Sequence, residues 1–191
     1  MESAIIEFAL HGYHRTSVDA IVKRAQVSKG TVFYHFDNKP NLFLACLDAC
    51  LDQYEKALEE NGLWEEKELF SRLLLQTKIK VAFVLKHEAM SKFFMVASTV
   101  DLSDETKAIK DRITAYREKI VRRMLDDVDH SYIRAGIDPE DALSFAWGAV
   151  ETYSYKLLSM YENEDAMLAE ADKIIADFER YVELIKYGIY K

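Results

Sequence analysis

The first forty residues are cut into three pieces, each too short to bury a core alone. That punctuation limits the chain to folds in which small helices brace one another. Ile5, Ile6, Phe8 and Ala9 make a helical apolar pattern that stops at Gly12, a residue suited to the left-handed backbone that closes a helix. The first helix is expected to end near His11, with Tyr13 folding back towards Phe8. Thr16 offers an N-cap hydroxyl with Asp19 three residues on, ahead of Val18, Ile21, Val22 and Ala25 at helical spacing. Ser28 is placed to cap a third helix through Phe36, and Asp37-Asn38-Lys39-Pro40 ends it and starts a fourth.

The fourth helix carries Leu42, Phe43, Ala45, Leu47 and Leu51. It is expected to dock on the first three and run outward to about Asn61 as a connector. Further helical patterns span Lys67 to His87, Met90 to Val100, Ser103 to Ala135, Pro139 to Tyr161 and Asp165 to Tyr187. Ser103 is a candidate cap with Asp104 and Glu105 behind it, Gly136 a stop, and Asp138-Pro139-Glu140 a start. With two prolines and six glycines in 191 residues, a many-turned β fold is excluded and an all-α fold expected.

A net charge of -8 argues against a protein that coats nucleic acid over its whole surface. Residues 1 to 40, however, hold five basic against four acidic side chains, so the acidic excess lies in the remainder. Cys46 and Cys50 lie four apart in a helical stretch that does not favour a disulfide, and read as reduced core residues. Neither a signal peptide nor an apolar run of membrane-spanning length is present, so a cytoplasmic protein with no membrane partner is expected.

Two short helices joined by a tight turn make a helix-turn-helix when the first braces the second, leaving a polar face to approach a DNA groove. On the Ser28 to Phe36 wheel, Val32 and Phe36 fall on the inner side, and Gly30, Thr31 and Tyr34 on the outer. Gly30 permits close approach, and Thr31 can meet a base edge by hydroxyl or methyl. Tyr34 and His35 can donate to phosphate oxygens, while Lys29 and Lys39 neutralise charge.

The run Gly12-Tyr13, Thr16-Ser17-Val18, Ile21, Ala25, Val27-Ser28-Lys29-Gly30-Thr31-Val32-Phe33-Tyr34-His35-Phe36, Lys39 and Leu42-Phe43 resembles the DNA-binding domain of the TetR family of regulators. The resemblance implies a homodimer in which a three-helix head, residues 1-46, reads double-stranded operator DNA. A helical body, residues 47-191, would bind a small-molecule effector and dimerise. It places Ser17 and Val18 beside a phosphate, Ser28, Lys29, Gly30 and Thr31 in the major groove, and Tyr34, His35 and Lys39 on the backbone. Phe33 departs from the tyrosine frequent in the family, losing a phenol but keeping a ring for a thymine methyl. A basic arm before the first helix is also missing from the sequence, so no arm contact is expected.

In the body, Phe83, Met90, Phe93, Phe94, Met95, Tyr116, Met124, Trp147 and Tyr153 are candidates to line an apolar cavity, with ordinary core packing the competing role for each. The resemblance implies an effector pocket among them. The last two helices carry wide apolar bands: Leu143, Phe145, Trp147, Val150, Tyr153, Leu157 and Leu158, then Met167, Leu168, Ile174, Ile175, Phe178, Val182 and Ile185. Two such pairs make an intersubunit four-helix bundle. Asp126, Asp127, Asp129 and His130 read as a solvated helix end, since no second cluster completes a metal site; Glu65, Glu66 and Glu68 read as a solvated helix start. No phosphate-binding glycine loop or hydrolase motif occurs, so neither an enzyme nor a cofactor is expected. The rival is a helical ligand-binding or protein-interaction module without sequence-specific DNA binding.

Overall fold

A computed structural model of the chain describes residues 1–101, 103, 106–160, 166 and 169–189, with backbone only at 154, 155, 157–159 and 189. Asp104, Glu105, Tyr161, Asp165, Met167 and Leu168, and the side chains of Leu157 and Leu158, lie outside the described residues. Among the described residues there are nine α-helices and no strand: α1 (Glu2–Arg15), α2 (Val18–Ala25), α3 (Lys29–Phe36), α4 (Lys39–Glu60), α5 (Leu69–Lys86), α6 (Glu88–Thr99), α7 (Lys107–Leu125), α8 (Pro139–Ser159) and α9 (Ala171–Ile189). A 3₁₀ turn, His130–Tyr132, lies between α7 and α8. The chain divides into two compact units, residues 1–57 with 86–120, and 58–85 with 121–191.

In the first unit, α6 packs against α1, and α1 and α3 both pack against α2. Its centre is aromatic. Phe43 meets Phe8 edge-on at 4.8 Å, Tyr13 edge-on at 5.1 Å and Phe93 at 4.6 Å. Burying each ring removes it from water for about 1.5–3 kcal/mol, and such ring pairs add about 0.5–1.5 kcal/mol beyond area. Phe93 is 0% exposed and takes the core role, one of the two the sequence allowed it, beneath the first helices. Cys46 and Cys50 are buried free thiols in the same core, and burial pushes both up to about 12.

Local chemistry shifts two of the expected boundaries. Gly12 takes φ 76°, as a glycine stop requires, but the chain resumes a helical turn as far as Arg15. Ser17, not Thr16, caps α2, accepting from Ala20 N at 3.1 Å. Thr16 is buried, and its hydroxyl lies 3.0 Å from Glu7 O and 2.7 Å from Gly12 O, tying the end of α1 to its own middle. Asn38 accepts from Asn41 N at the start of α4, with Pro40 in the first turn. Ion pairs at a constant offset of 64 residues hold α4 and α7 in parallel register: Asp48 with Arg112 at 2.5 Å, Glu55 with Lys119 at 2.6 Å and Glu59 with Arg123 at 3.3 Å.

In the second unit, α7 stops at Leu125, ten residues short of the expected Ala135. The cause is Arg72, buried on α5, whose guanidinium donates to Met124 O at 3.0 Å, Asp126 O at 2.8 Å and Glu66 O at 2.6 Å. A cation on its last carbonyls satisfies the helix end, and Asp127 then turns away at φ 55°. Gly136, at φ 88°, closes a turn and not a helix. Glu68 is also more than a solvated acid: it caps α5, accepting from Phe70 N, Ser71 N and Ser71 Oγ. Asp138 caps α8 as its sequence promised. The pair α8 and α9 closes over Phe178, Val182 and Val150, with Tyr153 stacked on Tyr181 at 3.9 Å. No helix among the described residues is long and apolar enough to cross a membrane.

Candidate nucleic-acid interface

The candidate interface is built by two capped helices of eight residues each. Ser28 caps α3, its Oγ accepting from Thr31 N at 3.0 Å while the two hydroxyls sit 2.8 Å apart. Gln26, at φ 55°, ends α2 in the left-handed conformation, and three residues later α3 begins. The inner side of α3 holds as read: Val32 is buried and Phe36 packs against the same core, with Val18 and Val22 of α2 beside it.

The outer side of α3 is left to solvent. Lys29, Gly30, Thr31, Phe33 and His35 are all exposed, and Tyr34 is 85% exposed, its ring edge-on to His35 at 5.2 Å. Ser17 and Ser28 are exposed and Val18 is half-buried, so nine of the ten sequence-derived contact residues share one region of the first unit. Lys39, the tenth, is the half-buried first residue of α4. Helix first turns leave backbone N–H groups without intrahelical partners, so α2 and α3 each present anion-seeking amides next to these side chains. A phenol, an imidazole, two hydroxyls and a helix start form a surface able to hydrogen-bond phosphates and base edges.

Most basic side chains of this region are already engaged within the chain, which the sequence did not reveal. Arg24 Nε lies 2.6 Å from the buried Glu7 carboxylate, bracing α2 on α1. Lys39 Nζ donates to His14 O at 3.2 Å and stands over the Tyr13 ring at 4.6 Å. Lys29 Nζ is 2.8 Å from Asp19 Oδ1. His14 pairs with Asp101 at 2.6 Å, a hydrogen bond that lowers the Asp101 pKa. Glu7 and Asp19 are separated from their partners by seventeen and ten residues, so no local pattern announces either pair.

Of the nine cavity candidates, Met90, Phe93, Phe94, Met95 and Tyr116 fall in the first unit and Phe83, Met124, Trp147 and Tyr153 in the second. Met90, Phe94 and Tyr116 pack half-buried on the core of the first, and the Tyr116 hydroxyl is buried with no hydrogen-bond partner among the described residues. Burial next to Tyr54, Glu55 and Asp52 raises its pKa far above the usual phenol value. In the second unit Met124 is wholly buried, Phe83 and Trp147 are half-buried, and Tyr153 is engaged with Tyr181. Asp127 pairs with Lys67, and Asp129 accepts from Ser131 N, so these two acids serve the loop after α7.

Residues 1–46 match the family described as "Bacterial regulatory proteins, tetR family". The chain is 27% identical over 147 residues to the HTH-type transcriptional repressor AcnR of Corynebacterium diphtheriae, covering 72% of this chain and 75% of that protein. It is 22% identical over 158 residues to the biofilm operon icaADBC negative regulator IcaR of Staphylococcus epidermidis, covering 82% and 80%. The structure of the regulator FadR from Bacillus subtilis, in complex with stearoyl-CoA, superposes with a TM-score of 0.63 at 18% identity, covering 99% of this chain and 97% of that one.

Proposed function

We propose that this chain, which belongs to the TetR family of transcriptional regulators, is a repressor that grips a palindromic operator through the α2–α3 surface of two copies and lets go when an effector binds. The observation that carries the proposal is α3 itself: a capped helix anchored by Val32 whose opposite side puts Lys29, Gly30, Thr31, Tyr34 and His35 into solvent. In this reading Gly30 and Thr31 approach bases, Phe33 meets a thymine methyl, and Ser17, Val18, Tyr34, His35 and Lys39 hold phosphates. The protein acts by binding rather than catalysis, in the cytoplasm where operator DNA lies.

Two heads need a dimer. The second unit supports a surface for it: Phe145 is 64% exposed on α8, Leu184 68% and Tyr187 80% on α9, with Gly148, Thr152 and Ala176 as small exposed neighbours. Exposed apolar side chains bordered by small residues suit close packing against a second copy. The effector is taken as small and largely apolar. Met90, Phe94 and Tyr116 are its candidate contacts in the first unit, and the unpartnered Tyr116 hydroxyl is a group that a polar atom on the effector would satisfy. Phe83, Met124, Trp147 and Tyr153 are the candidates in the second.

Tyr34→Ala with Lys39→Ala tests the reading. The pair is expected to lower DNA affinity by roughly 100-fold and to flatten its salt dependence, with helix content unchanged. Tyr34→Ala alone, at a side chain 85% exposed, separates lost contact from lost fold. Unaltered binding by the double variant contradicts the proposal.

A further inference from the structure

The first residue of α3 has its charge answered before any DNA arrives. Lys29 Nζ lies 2.8 and 3.0 Å from the two carboxylate oxygens of Asp19, on the first turn of α2, and 5.9 Å from the centre of the Phe33 ring on its own helix. The Asp19 side chain is 71% exposed and that of Lys29 50% exposed, so water and phosphate can reach both. Another acid–base pair of the head is built differently: the Glu7 carboxylate that holds Arg24 is buried, as a structural brace would be. Asp19 caps no helix, since Ser17 does that for α2.

Resting on the reading that α3 faces DNA, we propose that Asp19 is a positioning residue for specificity: it holds Lys29 back from phosphate and so restrains sequence-independent binding. A phosphate that takes Lys29 must first displace Asp19, and the displaced carboxylate then stands beside a second anion. The exchange swaps one ion pair for another and adds a repulsion. Lys29 therefore contributes little to the general grip on the duplex, and the contacts of Gly30, Thr31 and Tyr34 make up a larger share of what remains. Because discrimination depends on the ratio of specific to non-specific affinity, a weaker general grip raises it.

The test is fluorescence anisotropy with a labelled duplex of random sequence, titrated with the full chain between about 50 and 200 mM salt. Asp19→Asn is expected to bind more tightly than wild type. Its plot of log affinity against log salt should steepen by about 0.9, the increment for one added phosphate contact, so its advantage should shrink about 3.5-fold across that range. Asp19→Glu, which keeps the charge and the reach, should return the wild-type slope. In a Lys29→Ala background, Asp19→Asn should leave the slope unchanged.

An equal slope for wild type and Asp19→Asn overturns the proposal. The same steepening without Lys29 overturns it too, since Asp19 would then act through its own charge or the dipole of α2. A wild-type chain that at the lowest salt binds neither this duplex nor any fragment of genomic DNA overturns the DNA-binding reading and this inference with it. A wild type that binds with an unmoved Asp19→Asn slope removes this inference alone.

Discussion

The outer side of α3 and the open faces of α8 and α9 both hold large apolar side chains in water, and their surroundings differ. On α3, Phe33 and Tyr34 stand among Ser28, Lys29, Thr31 and His35, side chains that donate hydrogen bonds. On α8 and α9, Phe145, Leu184 and Tyr187 have Gly148, Thr152 and Ala176 nearby, which donate little and let a neighbour come close. Exposure alone therefore names neither use. A ring among donors suits a groove edged by phosphates, and a ring among small residues suits another apolar surface.

Phe145→Asp with Leu184→Asp breaks that comparison most forcefully. Charges on the open faces are expected to give a monomer in analytical ultracentrifugation and to lower operator affinity by about 100-fold or more, because the second head no longer binds intramolecularly. A retained dimer would remove the dimer role from this face. Gly30→Ala sharpens the other half. A Cβ there meets only Ser28 Oγ at 3.7 Å, an ordinary contact, and alanine within a helix is favoured over glycine by about 0.5–1 kcal/mol. The melting temperature should hold or rise while DNA affinity falls on the order of tenfold, the signature of a residue kept small for approach. Unchanged affinity would mean that no DNA group comes near Gly30.

The smallest effect belongs to the interior beneath α3. With Cys46 and Cys50 pushed up to about 12, only about one thiol in ten thousand is ionised at pH 8. Both should resist a thiol reagent in the folded protein and react once it is denatured. Fast reaction in the folded state would show that α4 opens here more readily than its packing implies.

Much of the α2–α3 surface was legible because its determinants are local. Ser28 caps three residues from its target, and Val32 and Phe36 are one turn apart. Even so, the choice between Thr16 and Ser17 as cap turned on burial, and burial depends on where Glu7 lies. Long-range partners were not legible. Nothing in the period of α6 says that Phe93 fills the space between Phe8 and Phe43, and nothing in α7 says that Arg72 will take its last carbonyls. Apolar residues after Leu125, such as Val128 and Ile133, kept the helical pattern going on paper where the chain instead turns at Asp127. The Asp19–Lys29 pair, with the specificity role inferred from it, exists only once α2 and α3 are folded together.

The central claim is that α3, in two copies, reads DNA. Its most direct test is a hydroxyl-radical footprint of the purified protein on a fragment it selects from genomic DNA. Two protected patches of related sequence in opposite orientation are expected, centred a whole number of helical turns apart and both lost with Tyr34→Ala and Lys39→Ala. A single unpaired patch, or protection that survives both substitutions, would contradict it.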